Sequence, residues 1–357
     1  MANEQPQRTE ISDLGEFKLI DRLTEPFASL NKSTVQGVGD DAAVLGDGGN
    51  ATVLTNDLFV EGVHFDLMYF PLKHLGYKAV IANLSDVYAM NAKPEQITVS
   101  LAISNKFAVE ALEEIYFGIR HACTEYNIDL VGGDTTSSLK GLMISVTAVG
   151  RADQKELIFR HGAKESDLIC VSGDLGAAFT GLQLLEREKQ VFKENPEVQP
   201  NLEQKQHIVG RHLKPEARQD IIKTFAREGI QPTSLIDLSD GLASDLFHIC
   251  EASELGCFIE ENDVPIHPET EEMAGKFNIA PITCALNGGE DYELLFTIPS
   301  HQANKIKHEL DLTIIGSMVS KDKGYRMEAK GGNIFDLKAQ GWDSFQDDQQ
   351  NGSNGEE

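Results

Sequence analysis

Residues 37–45 read Gly-Val-Gly-Asp-Asp-Ala-Ala-Val-Leu: a glycine-flanked pair of carboxylates followed by an apolar run. A carboxylate is costly to take out of water unless something positive compensates it. The stretch is therefore either a solvated turn ahead of a short strand or one wall of a site that holds cations. Recurrence along the chain separates the two readings.

Acidic residues return at the edges of other apolar segments. Asp57 follows the strand-like Ala51–Thr55 in LTNDLFVEGVHF, and Asp86 sits inside a helical run in NLSDVYAM. Asp134 follows Val-Gly-Gly in LVGGDTTSS, Asp237 and Asp240 bracket Leu-Ser in IDLSDGL, and Glu290 and Asp291 follow Asn-Gly-Gly in NGGEDYELLF. A single Asp after a strand is an ordinary turn residue or helix cap. Asp86 does not fit that reading, because its neighbours are the Ala, Leu, Val and Met of a largely apolar helix. Five of the six clusters lie at ends of strand-like runs, where side chains from separate strands meet at one sheet edge. Hard dications take oxygen ligands, and magnesium commonly combines a few carboxylates with substrate phosphates and water.

The surrounding pattern is that of an α/β (α+β) chain. An opening helix is expected over 16–30, then short apolar runs at Asp41–Leu45 and Ala51–Thr55. A helix over Lys73–Asn91 closes at Pro94, and a strand follows over Gln96–Ile103. Phe107–Tyr126 is amphipathic, with Leu112, Ile115, Ile119 and Ala122 on one face, and strands follow at Ile128–Val131 and Leu142–Val149. A second unit starts near Arg151. It has strands at Leu168–Ser172, Leu235–Leu238, Glu290–Ile298 and Leu312–Met318, and helices at Gly173–Lys189, Arg218–Glu228, Gly241–Ala252 and His301–Leu310. Residues 190–205 read as an exposed excursion. The tail QDDQQNGSNGEE has no apolar residue to bury and is expected to be disordered.

Composition excludes several function classes. The chain has 357 residues, 41% of them hydrophobic, enough for two domains with their own cores. A formal net charge of −26 argues against nucleic acid or an anionic membrane as partner. The N-terminus has no secretory pattern, and no apolar run approaches the ~18 residues of a membrane span. Five scattered cysteines without a Cys-x-x-Cys pair read as reduced, buried thiols of a cytoplasmic protein. Walker, dinucleotide-binding, His-Glu-x-x-His and Gly-x-Ser-x-Gly motifs are absent, and the ten histidines lack zinc-ligand spacing. Gly173-Asp-Leu-Gly176 reads equally as a phosphate-facing helix start or a structural turn.

Taken in order, GVGDDAAVL, TNDLFVEGVHF, NLSDVYAM, VGGDTTSS, DLSDGLASDL and NGGEDYELLFT resemble the thiamine-monophosphate kinases. These are members of the superfamily of aminoimidazole-ribonucleotide (AIR) synthetases and selenophosphate synthetases. The resemblance runs from about Gly15 to about Phe345. It implies a two-domain AIR-synthetase-like fold: residues 1–150 binding ATP and magnesium and dimerising through their sheet, residues 151–345 forming the second domain, and a tail over 346–357. It also implies ATP-dependent phosphorylation of thiamine monophosphate to thiamine diphosphate, in a homodimer. By matching position, Asp40, Thr55, Asn56, Asp57, Asp86, Asp134, Asp237 and Asp240 would surround several Mg2+ ions. Gly133, Asp134, Arg160 and Ser239, with Tyr116 or Phe117, would contact ATP. His64, Glu290 and Trp342 would contact the thiamine phosphate. Asn56 departs from the pattern, standing where the family often carries a hydroxyl residue.

Transfer between two phosphates brings polyanions together and asks little covalent chemistry of the protein. Carboxylate-held magnesium fits that need, so the resemblance implies direct in-line transfer without a strong general base. Asp40 is then the expected metal ligand, and Asp41 orients the loop. Trp342 offers a stacking surface for a cationic ring, although a core or surface Trp fits its context equally. The first cysteine, Cys123, disfavours a selenophosphate synthetase, and the ending NGSNGEE disfavours a hydrogenase-maturation role. An AIR-synthetase-like enzyme acting on another small substrate is the nearest alternative. A nonenzymatic acidic cation-binding protein is the alternative of another class; it gives no reason to bury Asp86, and no EF-hand loop is present.

Overall fold

The computed structural model describes residues 11, 14–46, 48–198, 200 and 202–339. Trp342 and the tail over 346–357, both singled out in the sequence, lie outside them. The described residues form two sheets, one six-stranded and one seven-stranded, each with helices against it.

The first sheet takes its strands from β1 (Thr34–Gln36), β2 (Ala43–Gly46), β3 (Asn50–Val60), β4 (Lys93–Ile103), β5 (Asp129–Ser137) and β6 (Met143–Asp153), in the order β1-β2-β3-β6-β4-β5. Only the β4–β5 pairing is parallel. Helix α1 (Gly15–Thr24) precedes the sheet and is shorter than the expected 16–30; Pro26, which has no N–H to give, follows its end. Helices α2 (Leu72–Ala89) and α3 (Val109–Tyr126) cover one face. The two helices touch through glycine: a Cβ on Gly76 would strike the Ile115 carbonyl, and one on Gly118 the Lys73 carbonyl. That contact sets their spacing.

Helix α2 is buried on almost every side, as an apolar helix must be. One side faces the first sheet, another α3, and a third the second half of the chain. A single hydrophobic cluster accordingly runs from Val53 and Leu84 to Leu185, Leu213 and Tyr292.

The second half contains β7 (Leu168–Ser172), α4 (Ala177–Glu194), α5 (Gln206–Leu213), α6 (Gln219–Glu228), β8 (Ser234–Asp237), α7 (Leu242–Ala252), β9 (Leu255–Glu260), α8 (Pro268–Lys276), α9 (Pro281–Asn287), β10 (Leu294–Ile298), α10 (Ala303–Ile306), β11 (Leu312–Ser320), β12 (Tyr325–Glu328) and β13 (Ile334–Asp336). Its strand order is β13-β12-β9-β11-β7-β10-β8. Most of the described part of 190–205 is exposed, as expected.

Three sequence expectations are corrected. Asp57 and Asp134 do not follow strands but lie within β3 and β5, because both strands run past the polar residues. Pro94 does not close α2, which ends at Ala89; it is the second residue of β4, at an irregularity in the pairing with β6 where a missing N–H is tolerated. Glu290, Asp291 and Tyr292 precede β10 rather than start it, and Glu290 and Tyr292 have positive φ, 58° and 50°.

Candidate active site

Alternation along β3 decides which of its polar residues reach the interior. Ala51, Val53, Thr55 and Phe59 are buried toward α2, so Asp57 shares their face. Asn56, one residue out of phase, points the other way. Its amide donates to Ser145 Oγ at 3.0 Å, the Val146 carbonyl at 2.9 Å and Thr147 Oγ1 at 2.8 Å. The side chain of Asn56, expected in the metal shell, is therefore not brought to the other acids within the chain.

Helix α2 organises the acids through residues on its successive faces. Asn83 and Asp86, three apart, meet β3: Thr55 donates to Asp86 Oδ2 at 2.5 Å, and the Asp57 N–H donates to Asn83 Oδ1 at 3.2 Å. On the side facing the second half, Ser85 donates to Asp237 Oδ2, at the end of β8, at 2.6 Å. Asp240 follows Asp237 after two residues. Its N–H and that of Gly241 donate to the buried Asp245 Oδ2 at 3.2 and 3.1 Å.

The Asp40–Asp41 pair that opened the sequence divides its roles. Arg160 Nη2 lies 2.6 Å from Asp41 Oδ1, and the side chain of Asp41 is 1% exposed. The backbone N–H of Arg160 meets both oxygens of Asp40 at 3.3–3.4 Å. Arg160, expected at ATP, is thus engaged with the loop acids. The other oxygen of Asp41 is buried without a hydrogen-bond partner.

These acids share one electrostatic environment. Burial, and then the Asp237 charge, pushes the Asp57 carboxyl up to about 6. Burial and Asp41 push Asp237 up to about 7, against the Ser85 hydrogen bond. Burial raises Asp86 well above the carboxylate range, reinforced by Asp57, Asp237 and Asp41. Asp41 rises to about 6, again chiefly through burial, despite Arg160. Asp40 is raised by burial as well. One guanidinium stands among five carboxylates brought together from distant parts of the chain.

That donor set suits magnesium, which takes hard oxygen ligands and leaves room for phosphates and water. Among the described residues no three His, Cys, Asp or Glu close around a metal unaided.

Asp134 stays apart within one chain. It lies on the exposed edge strand β5, opposite Ser100, while Gly133 pairs with Val99 in the row that leads through Val146 to Asp57. Three strand spacings separate that edge from β3, about 14 Å. Gly133 has φ +154°, and a Cβ there would strike the Val99 carbonyl, so the Gly-Gly pair permits the irregular pairing that carries Asp134. Tyr116 and Phe117 lie on the outer side of α3, 38% and 51% exposed, with Arg120 over the Phe117 ring. The structure does not bring either to the acids.

A second cluster adjoins the acid ring. Lys78 Nζ is 2.8 Å from Glu290 Oε1, and His212 Nδ1 is 3.2 Å from Glu290 Oε2. Burial would raise Glu290, but Lys78 and His212 outweigh it and hold its carboxyl well below the usual range. His64 accepts from the Val60 N–H at 3.0 Å, and burial lowers its imidazole, with Glu290 and Lys78 acting in opposite directions. The loop carrying His64 is tied to α4 by Asp66 and Lys189, 2.7 Å apart. Ser239 meets this cluster through its carbonyl, which accepts from the Glu290 N–H at 2.7 Å.

Lys78, Asn83, Ser85, His212, Asp245 and Tyr292 were not singled out from the sequence. Lys78, Asn83 and Ser85 carried a usable signal, since all three are polar residues in a helix read as mostly buried.

Comparison with known proteins identifies the family. Residues 39–152 match the family described as AIR synthase related protein, N-terminal domain. The thiamine-monophosphate kinase of Aquifex aeolicus is 34% identical over 94% of this chain and 99% of its own. The Bacillus subtilis enzyme of the same name is 32% identical over 93% and 100%. The solved structure of AaThiL complexed with AMPPCP and TMP superposes with a TM-score of 0.80 at 33% identity, covering 94% of this chain and 99% of that one. With this fold, order of motifs and near-complete coverage, the chain belongs to the thiamine-monophosphate kinase family.

Proposed function

We propose that the chain transfers the γ-phosphoryl group of ATP to thiamine monophosphate, giving thiamine diphosphate and ADP. The observation that carries this reading is the set of acids at the seam, Asp237 buried and Asp41, Asp57 and Asp86 half-buried, with too few cations of their own, in a chain that matches this family along nearly its whole length. Asp40, Asp57, Asp86, Asp237 and Asp240 are the residues that would hold magnesium, with Thr55 fixing Asp86. When bound, the ions supply charge neutralisation between the two phosphates.

The remaining chemistry is positioning. The acceptor phosphate is already ionised near neutral pH, so its oxygen needs no strong general base, and direct in-line attack is the economical route. Arg160 holds the Asp40–Asp41 loop in place. His64, kept neutral by burial, and Glu290, kept anionic by Lys78, line the acceptor side, where a carboxylate complements the cationic thiazolium ring. Trp342 is read as a stacking partner for that ring.

Residues 1–150 are read as the ATP- and magnesium-binding, dimerising unit, and residues 151–345 as the second. The homodimer is supported by the sheet face opposite α2 and α3, where Leu58 is 52% exposed, and by the uncovered edge β5. Pairing of two such sheets offers a route by which Asp134 and Gly133 reach the acids of a second copy. Cytoplasmic residence is supported by the five free cysteines, four of them buried, and no helix among the described residues is long and apolar enough to cross a membrane.

The test is product formation from ATP and thiamine monophosphate, with and without magnesium, beside parallel reactions containing an AIR precursor or no acceptor. Thiamine diphosphate formed only with magnesium supports the reading. ATP consumption with the AIR precursor alone would transfer the chain to the other branch of its superfamily.

A further inference from the structure

Lys78 is an unusual residue for its place. It lies in the middle of α2, its side chain is 0% exposed, and its ammonium is satisfied by Glu290 Oε1 at 2.8 Å, the His212 carbonyl at 3.0 Å and the face of Phe70 at 5.5 Å. These partners come from separate segments: the loop before β10, α5 of the second half, and the loop before α2. His212, 1% exposed, lies with Nδ1 3.2 Å from the other oxygen, Oε2, without hydrogen-bond geometry.

The backbone beneath Glu290 is held in a rare conformation. Gly289, Glu290 and Tyr292 have φ of 67°, 58° and 50°. Non-glycine residues in this region carry strain that persists only where the surroundings over-determine it, and such residues gather at functional sites. The Glu290 N–H is itself fixed to the Ser239 carbonyl at 2.7 Å.

Stability alone does not account for a lysine here. A buried ion pair replaced by apolar side chains of like volume is often no less stable, and the rest of α2's buried surface is mainly apolar. The ammonium instead does something an apolar residue cannot: it fixes both the charge and the orientation of one carboxylate across the seam between the two halves.

We propose that Lys78 is a positioning residue for the acceptor substrate, holding Glu290 in the orientation that receives the cationic heterocycle of a phosphate monoester. This rests on the reading above that Glu290 lines the acceptor side. Lys78 itself, fully enclosed, does not touch the substrate. It acts through Glu290.

The experiment compares Lys78→Met, Lys78→Arg, Glu290→Gln and the double variant Lys78→Met/Glu290→Gln by steady-state kinetics in both substrates, each checked for folding by its melting transition. Lys78→Met is expected to raise KM for thiamine monophosphate about tenfold, the scale of a lost charged hydrogen bond, while KM for ATP stays within about twofold. Lys78→Arg should recover most of that loss. The double variant should be no worse than Glu290→Gln, since both changes remove one interaction. An unchanged KM for thiamine monophosphate in Lys78→Met, or an equal rise in both KM values, overturns the proposal. If Glu290→Gln leaves that KM unchanged, the acceptor-side reading of Glu290 falls. If Glu290→Gln raises it and Lys78→Met does not, only the role of Lys78 falls. Should Lys78→Met not fold, Lys78→Gln, which keeps a donor for the His212 carbonyl, takes its place. Failure of both to fold beside a folded Glu290→Gln would make Lys78 structural and defeat the proposal.

Discussion

Two groups of buried acids in this molecule meet opposite fates. Glu293, 1% exposed, is enclosed by Arg211 at 2.8 Å, by Arg218 and by the Ser172 hydroxyl. Its charge is matched inside the protein. Around α2, Asp237 is buried and Asp41, Asp57 and Asp86 are half-buried; the four share a single nearby guanidinium, Arg160, and their carboxyls are pushed upward by desolvation and by one another. A matched buried charge belongs to the fold. An unmatched one is tolerated by taking up a proton or a cation, which makes it available to function.

The sharpest way to break this comparison is to neutralise one acid of each kind. Asp57→Asn and Asp237→Asn should lower kcat at least ~10^3-fold, the scale of several kcal/mol of lost charge stabilisation. Each should leave the magnesium-free protein as stable as before or more so, because a repulsion is removed. Glu293→Gln should do the reverse. It leaves Arg211 and Arg218 facing a neutral group, and loses about 3 kcal/mol of stability with little change in turnover of the folded fraction. Melting curves beside kcat separate the outcomes. A stability loss in the aspartate variants equal to that in Glu293→Gln would erase the distinction.

A smaller effect tests whether the ring is completed between copies. Asp57→Asn and Asp134→Asn, each inactive alone, are expected to regain up to about a quarter of wild-type activity when their subunits are randomly exchanged, because half of the dimers are then mixed and each carries one intact site. No recovery after verified exchange would place Asp134 and Asp57 in the same subunit's site or deny them a shared one. The smallest effect is expected at Asn56. Its side chain turns to the face opposite Asp57, so Asn56→Ala should change kcat by no more than about twofold, within the range of an exposed polar substitution. A loss near that of Asp57→Asn would return Asn56 to the metal shell.

Much of this was legible in the sequence, and the misses have physical causes. Helix α2 declared itself by length and apolar content, and Asp86 by its misfit within it. Asp57 and Asp134 were read as lying after strands because polar residues were taken as strand ends; in β3 the apolar residues continue on alternate positions, so the strand persists. That same alternation could have separated Asn56 from Asp57. Helices α8 and α9 went unread although each has proline at its first turn, a helix-start signal. Strand β9 was missed as a short buried run whose pairing with β11 is distant in sequence. The Lys78–Glu290 contact spans more than two hundred residues, and no local pattern encodes it. The Asp41–Arg160 pair is likewise a product of tertiary packing alone.

The central claim is that the buried acids exist to hold dications, and proton release on magnesium binding tests it most directly. Carboxyls pushed to about 6–7 keep a fraction of their protons at pH 6.5, and a dication must displace them. Because the folded-state values are raised, the protons are held below pH 6 and gone above pH 8, so release should grow as the pH falls toward 6 and fade by pH 8. Titration of magnesium into the protein with a nonhydrolysable ATP analogue, followed by pH-stat, is expected to show that release in the wild type and its loss in Asp57→Asn/Asp86→Asn/Asp237→Asn. Magnesium binding with the same proton release in the triple variant would contradict the account.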